Sequence, residues 1–163
     1  MATDTDKNKI VQITKELLNK VGFDGDVKFI ENDSTENRFS TVSVESDNDL
    51  SMLIGKNGQN LSAFEHIIRL VATRKLDING ADFNFIIDVN DYRKSRTNYL
   101  VGLAKDAAQR VIQTRRAEAL LPMSSYERRL VHTELAANKE IQTESIGQEP
   151  RRRIIVKPQL EQF

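Results

Sequence analysis

Gly55-Lys56-Asn57-Gly58 sets a cation and an amide between two glycines, with apolar, helix-like segments on either side. Those residue types in that order suit the capture of an anion. Glycine permits a tight turn and a close approach of a sugar-phosphate chain. Lys56 adds a mobile positive charge, and Asn57 adds hydrogen-bonding groups. A helix starting just after the loop would aim free N–H groups and a positive dipole end at a phosphate. Ile54 and Leu61 flank the turn as candidate apolar walls for unpaired bases.

A second pair lies downstream. Arg128 and His132 stand four apart, so on a helix they project from one face. Arginine presents a planar fork that fits phosphate, and histidine donates a hydrogen bond or stacks on a base. Further arginines stand at Arg129, Arg151, Arg152 and Arg153. If residues 151–153 are strand, Arg151 and Arg153 share a face and Arg152 takes the other, so the three cannot all meet one ligand. Arg93, Lys94 and Arg96 form another basic cluster, a candidate extension of the path or simply a soluble helix start. His66 is expected to be an exposed helical histidine.

Catalytic constellations are missing. The loop lacks the Gly-x-x-x-x-Gly-Lys-Ser/Thr spacing of a nucleotide-hydrolysing phosphate loop. Two histidines and no cysteine give no metal-ligand spacing, and no serine nucleophile motif is present. The expectation is a binding protein that is not an enzyme and carries no cofactor and no metal.

The elements that must position these residues follow from periodicity. Residues 7–21 place Ile10, Ile13, Leu17 and Leu18 at helical spacing. Residues 26–31 and 39–45 alternate as strands about a polar loop at 32–37. A short helix is expected over 47–54, and a longer one over 60–75 with Leu61, Phe64, Ile67, Ile68 and Val71 on its apolar face. Asn79-Gly80 marks a turn, and Phe83, Phe85, Ile87 and Val89 alternate as a strand. Residues 91–119 read as one long helix, with Tyr99, Val101, Ala104, Ala108, Val111 and Ile112 available for packing. Ser124 and Glu127 form a capping-box pattern that opens a helix to about Ala137. Strands at 141–145 and 152–156 follow, joined by the turn Gly147-Gln148-Glu149-Pro150. The fold class is α+β, in two small units at 7–90 and 91–158, joined by a long helix, with a disordered tail over 1–6 and a short tail over 159–163.

Composition narrows the partners. The 163 residues carry no formal net charge, yet residues 1–90 hold 10 Lys/Arg against 15 Asp/Glu, and residues 91–163 hold 14 against 9. A uniformly basic coat is excluded, and a polyanion would be met mainly by the C-terminal half plus the glycine loop. No apolar run approaches the ~20 residues of a membrane helix. The absence of cysteine is consistent with a cytoplasmic location.

The order helix, strand, strand, helix, glycine loop, helix, strand resembles a type II KH domain, with Gly55-Lys56-Asn57-Gly58 at the loop that grips nucleic acid. The second half resembles an R-3-H domain, named for its Arg-xxx-His pair. Pro122, Met123, Glu127, Arg128, Arg129 and His132, followed by Thr143, Ser145, Gly147, Glu149, Pro150 and Arg152, match the pattern of the bacterial Jag proteins, also called KhpB or SpoIIIJ-associated protein. The resemblance covers about residues 7–158 and implies Arg129, Arg152 and Arg153 as further RNA contacts. Many members carry an additional small N-terminal domain and a charged linker, which have no counterpart in these residues. The resemblance implies single-stranded RNA binding, a cytoplasmic post-transcriptional role linked to cell-wall growth and division, and a KhpA-like KH protein as partner. The alternatives are a protein-interaction module, as a homodimer or with that partner, and a single-stranded DNA binder.

Overall fold

The computed structural model describes residues 4–31, 40–76 and 85–159. The expected loop at 32–37, the turn at Asn79-Gly80, Phe39, Phe83 and residues 160–163 of the tail lie outside them. The chain is mixed α and β and divides into two units, Met1–Arg93 and Lys94–Phe163.

In the first unit α1 spans Asp4–Lys20, β1 Asp26–Ile30, β2 Ser40–Glu45, α2 Ser51–Ile54, α3 Gln59–Leu76 and β3 Phe85–Val89. The helix α1 starts inside the stretch expected as a tail. Asp4 and Asp6 in its first turn suit the positive end of the helix dipole, and Lys7 pairs with Asp4 at 2.9 Å. The short helix α2 begins at Ser51 instead of 47, because the Asp49 carboxylate accepts the Ser51 N–H at 2.8 Å and its hydroxyl at 2.6 Å, which fixes a turn there. The sheet runs β1-β2-β3, with β1 antiparallel to β2 and β2 parallel to β3. Alternation puts Val42, Val44, Phe85, Ile87 and Val89 on one buried face. Ile10, Ile13 and Leu18 of α1 and Leu61, Phe64, Ile68 and Ala72 of α3 share that core.

The chain enters the second unit through α4, Tyr92–Thr114, followed by β4 Glu118–Ala119, α5 Ser125–Leu135, β5 Ile141–Ile146 and β6 Arg153–Pro158. The sheet order is β4-β6-β5, antiparallel throughout. Leu100, Ala104, Ala107, Ala108 and Val111 of α4 pack with Val131, Leu135, Ile141, Ile154 and Val156. The long helix ends five residues before the expected 119. Arg115 turns left-handed at φ 55°, and Glu118 and Ala119 pair with β6 as strand. Arg110 forks onto the Glu118 carboxylate at 3.0 and 2.7 Å across that turn. Tyr99, expected among the packing residues, is exposed. The capping box forms as read: Ser124 Oγ accepts the Glu127 N–H, and the Glu127 carboxylate accepts the Ser124 N–H at 2.7 Å. Among the described residues no helix is long and apolar enough to cross a membrane.

Candidate nucleic-acid interface

In the first unit the glycine loop is a braced corner. Gly55 (φ 69°) ends α2, Lys56–Gly58 form a single tight helical turn, and α3 starts at Gln59. Asn57 stands at φ 54°, ψ 29° and Gly58 at φ 76°, both left-handed. Asparagine tolerates that region better than most residues, which explains its place here.

At both glycines the position a Cβ would take is filled by protein. A Cβ at Gly55 would come within 2.5 Å of the Asn60 side chain, whose amide donates to the Met52 carbonyl at 2.8 Å. A Cβ at Gly58 would meet the Tyr92 ring at 3.0 Å, and Gly58 is buried. The glycines therefore serve the turn and its packing, which accounts for their place in the loop. What the corner presents outward is Lys56 and Asn57, both exposed. Leu61 is core at 2% exposure, which removes it as a groove wall. Ile54 is half-buried, and Met52, which the sequence reading missed, is exposed one turn before the loop. The hint was its position between the buried Leu50 and Leu53, off the apolar face.

Further along α3, Glu65 accepts the Ile87 N–H at 2.9 Å and pairs with Arg69 at 3.1 Å and Arg93 at 2.7 Å. Arg93 also donates to the Ile87 carbonyl at 2.9 Å. Arg93 thus anchors α3 to β3. His66 is exposed on α3.

In the second unit Arg128 and His132 do leave one helix, but they do different things. Arg128 is 7% exposed. Its guanidinium donates to the Met123 carbonyl at 2.7 Å, to Ser125 Oγ at 2.9 Å and to the Glu149 carboxylate at 2.7 Å. The fork expected to meet phosphate is occupied in tying the start of α5 to the β5–β6 turn. His132 is exposed, and its Nδ1 shares a hydrogen bond with Thr143 Oγ1 on β5, its direction set by the imidazole tautomer.

Two residues further along β5, Ser145 Oγ accepts from Arg152 Nε at 3.0 Å. Thr143 and Ser145 lie opposite Val156 and Ile154, so both belong to one face of the sheet. His132, Thr143, Ser145 and Arg152 therefore form one polar row. Arg153 opens β6 opposite Ile146, on the other face, and its Nε reaches the Arg151 carbonyl. Arg151 and Arg152 precede the strand, so the expected alternation begins only at Arg153. Arg129 is exposed on α5. Arg96 is held by Glu127 at 2.8 Å, leaving Lys94 as the exposed cation of that expected cluster.

A family model described as the R-3-H domain matches residues 99–158. "RNA-binding protein KhpB" of Clostridium symbiosum is 31% identical over 154 residues, 94% of this chain and 66% of that protein. The protein of the same name from Lactiplantibacillus plantarum is 36% identical over 74% of this chain and 36% of its own length. That of Bacillus subtilis is 35% identical over 65% of this chain and 50% of its own. An R-3-H domain closing a two-unit α+β chain is the class these observations define. The chain belongs to the KhpB (Jag) family, and it spans from about a third to about two thirds of the length of these relatives.

Proposed function

We propose that this chain binds single-stranded RNA at two places, without catalysis. In this reading the first unit is a type II KH domain, and Lys56 and Asn57 on its rigid corner hold backbone phosphate at the start of α3. In the R-3-H unit His132 and Arg152 are the contacting groups, Thr143 and Ser145 fix them, and Arg128 braces the frame. Arg129 adds charge, and Arg153 serves a different surface. The observation that carries the reading is the row His132–Thr143–Ser145–Arg152, an exposed imidazole and an exposed cation each pinned by a half-buried hydroxyl of one strand. The relatives' name, RNA-binding protein, supports RNA over DNA. A cytoplasmic post-transcriptional role in cell-wall growth and division, with a KhpA-like partner, belongs to the same reading.

Fluorescence anisotropy with an unstructured RNA of about 20 nucleotides tests it. Lys56→Asp/Asn57→Asp and His132→Ala/Arg152→Ala should each weaken binding while the folded baseline is kept, and DNA of the same sequence should bind less tightly. Equal binding by all three proteins would instead favour a protein-interaction module. One observation gives that second reading its place: Ile67 and Leu70 are exposed one turn apart on α3.

A further inference from the structure

Tyr99 is an exposed aromatic of the R-3-H unit that neither packing nor the polar row explains, and it differs from the more exposed Tyr126 in lying against a cation. It is 55% exposed on α4, yet its ring is not loose. The Arg96 guanidinium lies 5.5 Å from the ring centroid, within cation–π range. Arg96 is itself fixed, because its Nε donates to the Glu127 carboxylate at 2.8 Å, and Glu127 is buried and locked in the capping box of α5. A ring resting on an anchored cation has a defined orientation before any ligand arrives.

One turn further along is Gly102. A Cβ there would meet nothing within 4 Å, so neither packing nor crowding requires glycine. A glycine inside a helix weakens it relative to alanine. Helical side chains lie back over the preceding turn, so a long side chain at 102 would spread over the surface beside Tyr99. Glycine leaves that surface bare.

We propose that Tyr99, oriented by Arg96 and uncovered at Gly102, is a stacking platform for one unpaired nucleobase. The inference rests on the RNA-binding reading and adds to it a contact that the glycine loop, the Arg-xxx-His pair and the polar row do not supply. The site offers a ring face and little net charge. Arg96 is balanced by Glu127, and Asp106 lies two turns along on the same side of α4. The ligand it fits is therefore a base and not a phosphate, and stacking of this kind tolerates any base.

The chain contains no tryptophan, so Tyr99→Trp introduces a single reporter. On titration with an unstructured 20-nucleotide RNA the new indole emission should be quenched as anisotropy reports binding. Tyr99→Ala should bind roughly ten-fold more weakly, with the same salt slope as wild type, while Tyr99→Phe stays close to wild type. Gly102→Gln should weaken binding although its melting temperature equals or exceeds that of wild type, a combination that damage to the fold would not give. If RNA binds Tyr99→Ala as tightly as wild type and leaves the indole emission unchanged, the platform is refuted while RNA binding itself stands. If wild type binds no RNA, both readings fall together.

Discussion

Arg128 and His132 show how one spacing serves two purposes at the level of single residues. A four-residue step puts both on one face of α5, but depth on that face separates them. Arg128 is enclosed and makes three charge-assisted hydrogen bonds, whereas His132 reaches the surface beside Thr143. Removing Arg128 would leave a carboxylate and a carbonyl without their donor. Arg128→Ala should therefore cost about 1–2 kcal/mol in urea unfolding through the lost hydrogen bonds, since the exposed Glu149 carboxylate can turn to water, and Arg128→Lys should recover only part of it because ammonium lacks the fork. His132→Ala should shift stability by less than about 0.5 kcal/mol and act on RNA affinity alone. Equal stability losses for the two alanines would contradict this division. The loop glycines follow similar logic. Gly58→Ala adds a Cβ at 3.0 Å from Tyr92 to a backbone at φ 76°, so it should destabilise the first unit by about 1–2 kcal/mol in thermal or urea melts.

At the scale of elements, short-range chemistry sets where helices start and stop. The capping box of α5 was legible from Ser124 and Glu127 because both bonds close within one turn. Ser124→Ala should lower stability by about 1 kcal/mol, read as a drop in melting temperature. The end of α4 was not legible. Arg115, Arg116 and Ala117 look like good helix residues, and what ends the helix is the pairing of Glu118 and Ala119 with β6, far along the chain at Val156 and Ile155. Tyr99 and Ile67, both expected to pack, are exposed for a related reason: periodicity shows that a face is apolar, not how deeply each position on it sinks. Arg128 hid its role because its main partner, Glu149, lies 21 residues off in a turn. The Arg110–Glu118 pair that secures the α4–β4 turn has a testable pH signature. The Glu118 carboxyl is held below its ordinary value, first by the hydrogen bond from Arg110, with partial burial opposing. Its contribution is present above the ordinary carboxylate range and lost as pH falls through the depressed value. Both groups are partly exposed, so solvent screens the pair and its contribution is small. Wild type should then exceed Glu118→Gln in melting temperature at pH 7, and the gap should close as acidification protonates Glu118. A gap independent of pH would show that the pair adds nothing.

For the whole molecule, the uneven charge decides how the two proposed contacts share a ligand. Residues 91–163 carry the positive balance, and residues 1–90 carry an acidic one relieved locally at Lys56. A short RNA should therefore settle on the R-3-H unit, where the long-range attraction lies, and leave the glycine loop empty. A longer RNA bound there raises the effective concentration of its own free end for the loop, so the second contact forms without strong affinity of its own. This predicts a length-dependent mutant effect. Lys56→Asp/Asn57→Asp should leave the affinity for an RNA of about 8 nucleotides unchanged, yet weaken a 20-nucleotide RNA several-fold. The same change should reduce the salt slope for the long RNA by about 0.7, one phosphate's worth on a single strand. His132→Ala/Arg152→Ala should weaken both lengths, because it removes the contact that recruits them. If the loop variant instead weakened the short and long RNAs equally, the loop would be the first contact and not the second. The positive balance of the C-terminal half would then have no part in directing the ligand.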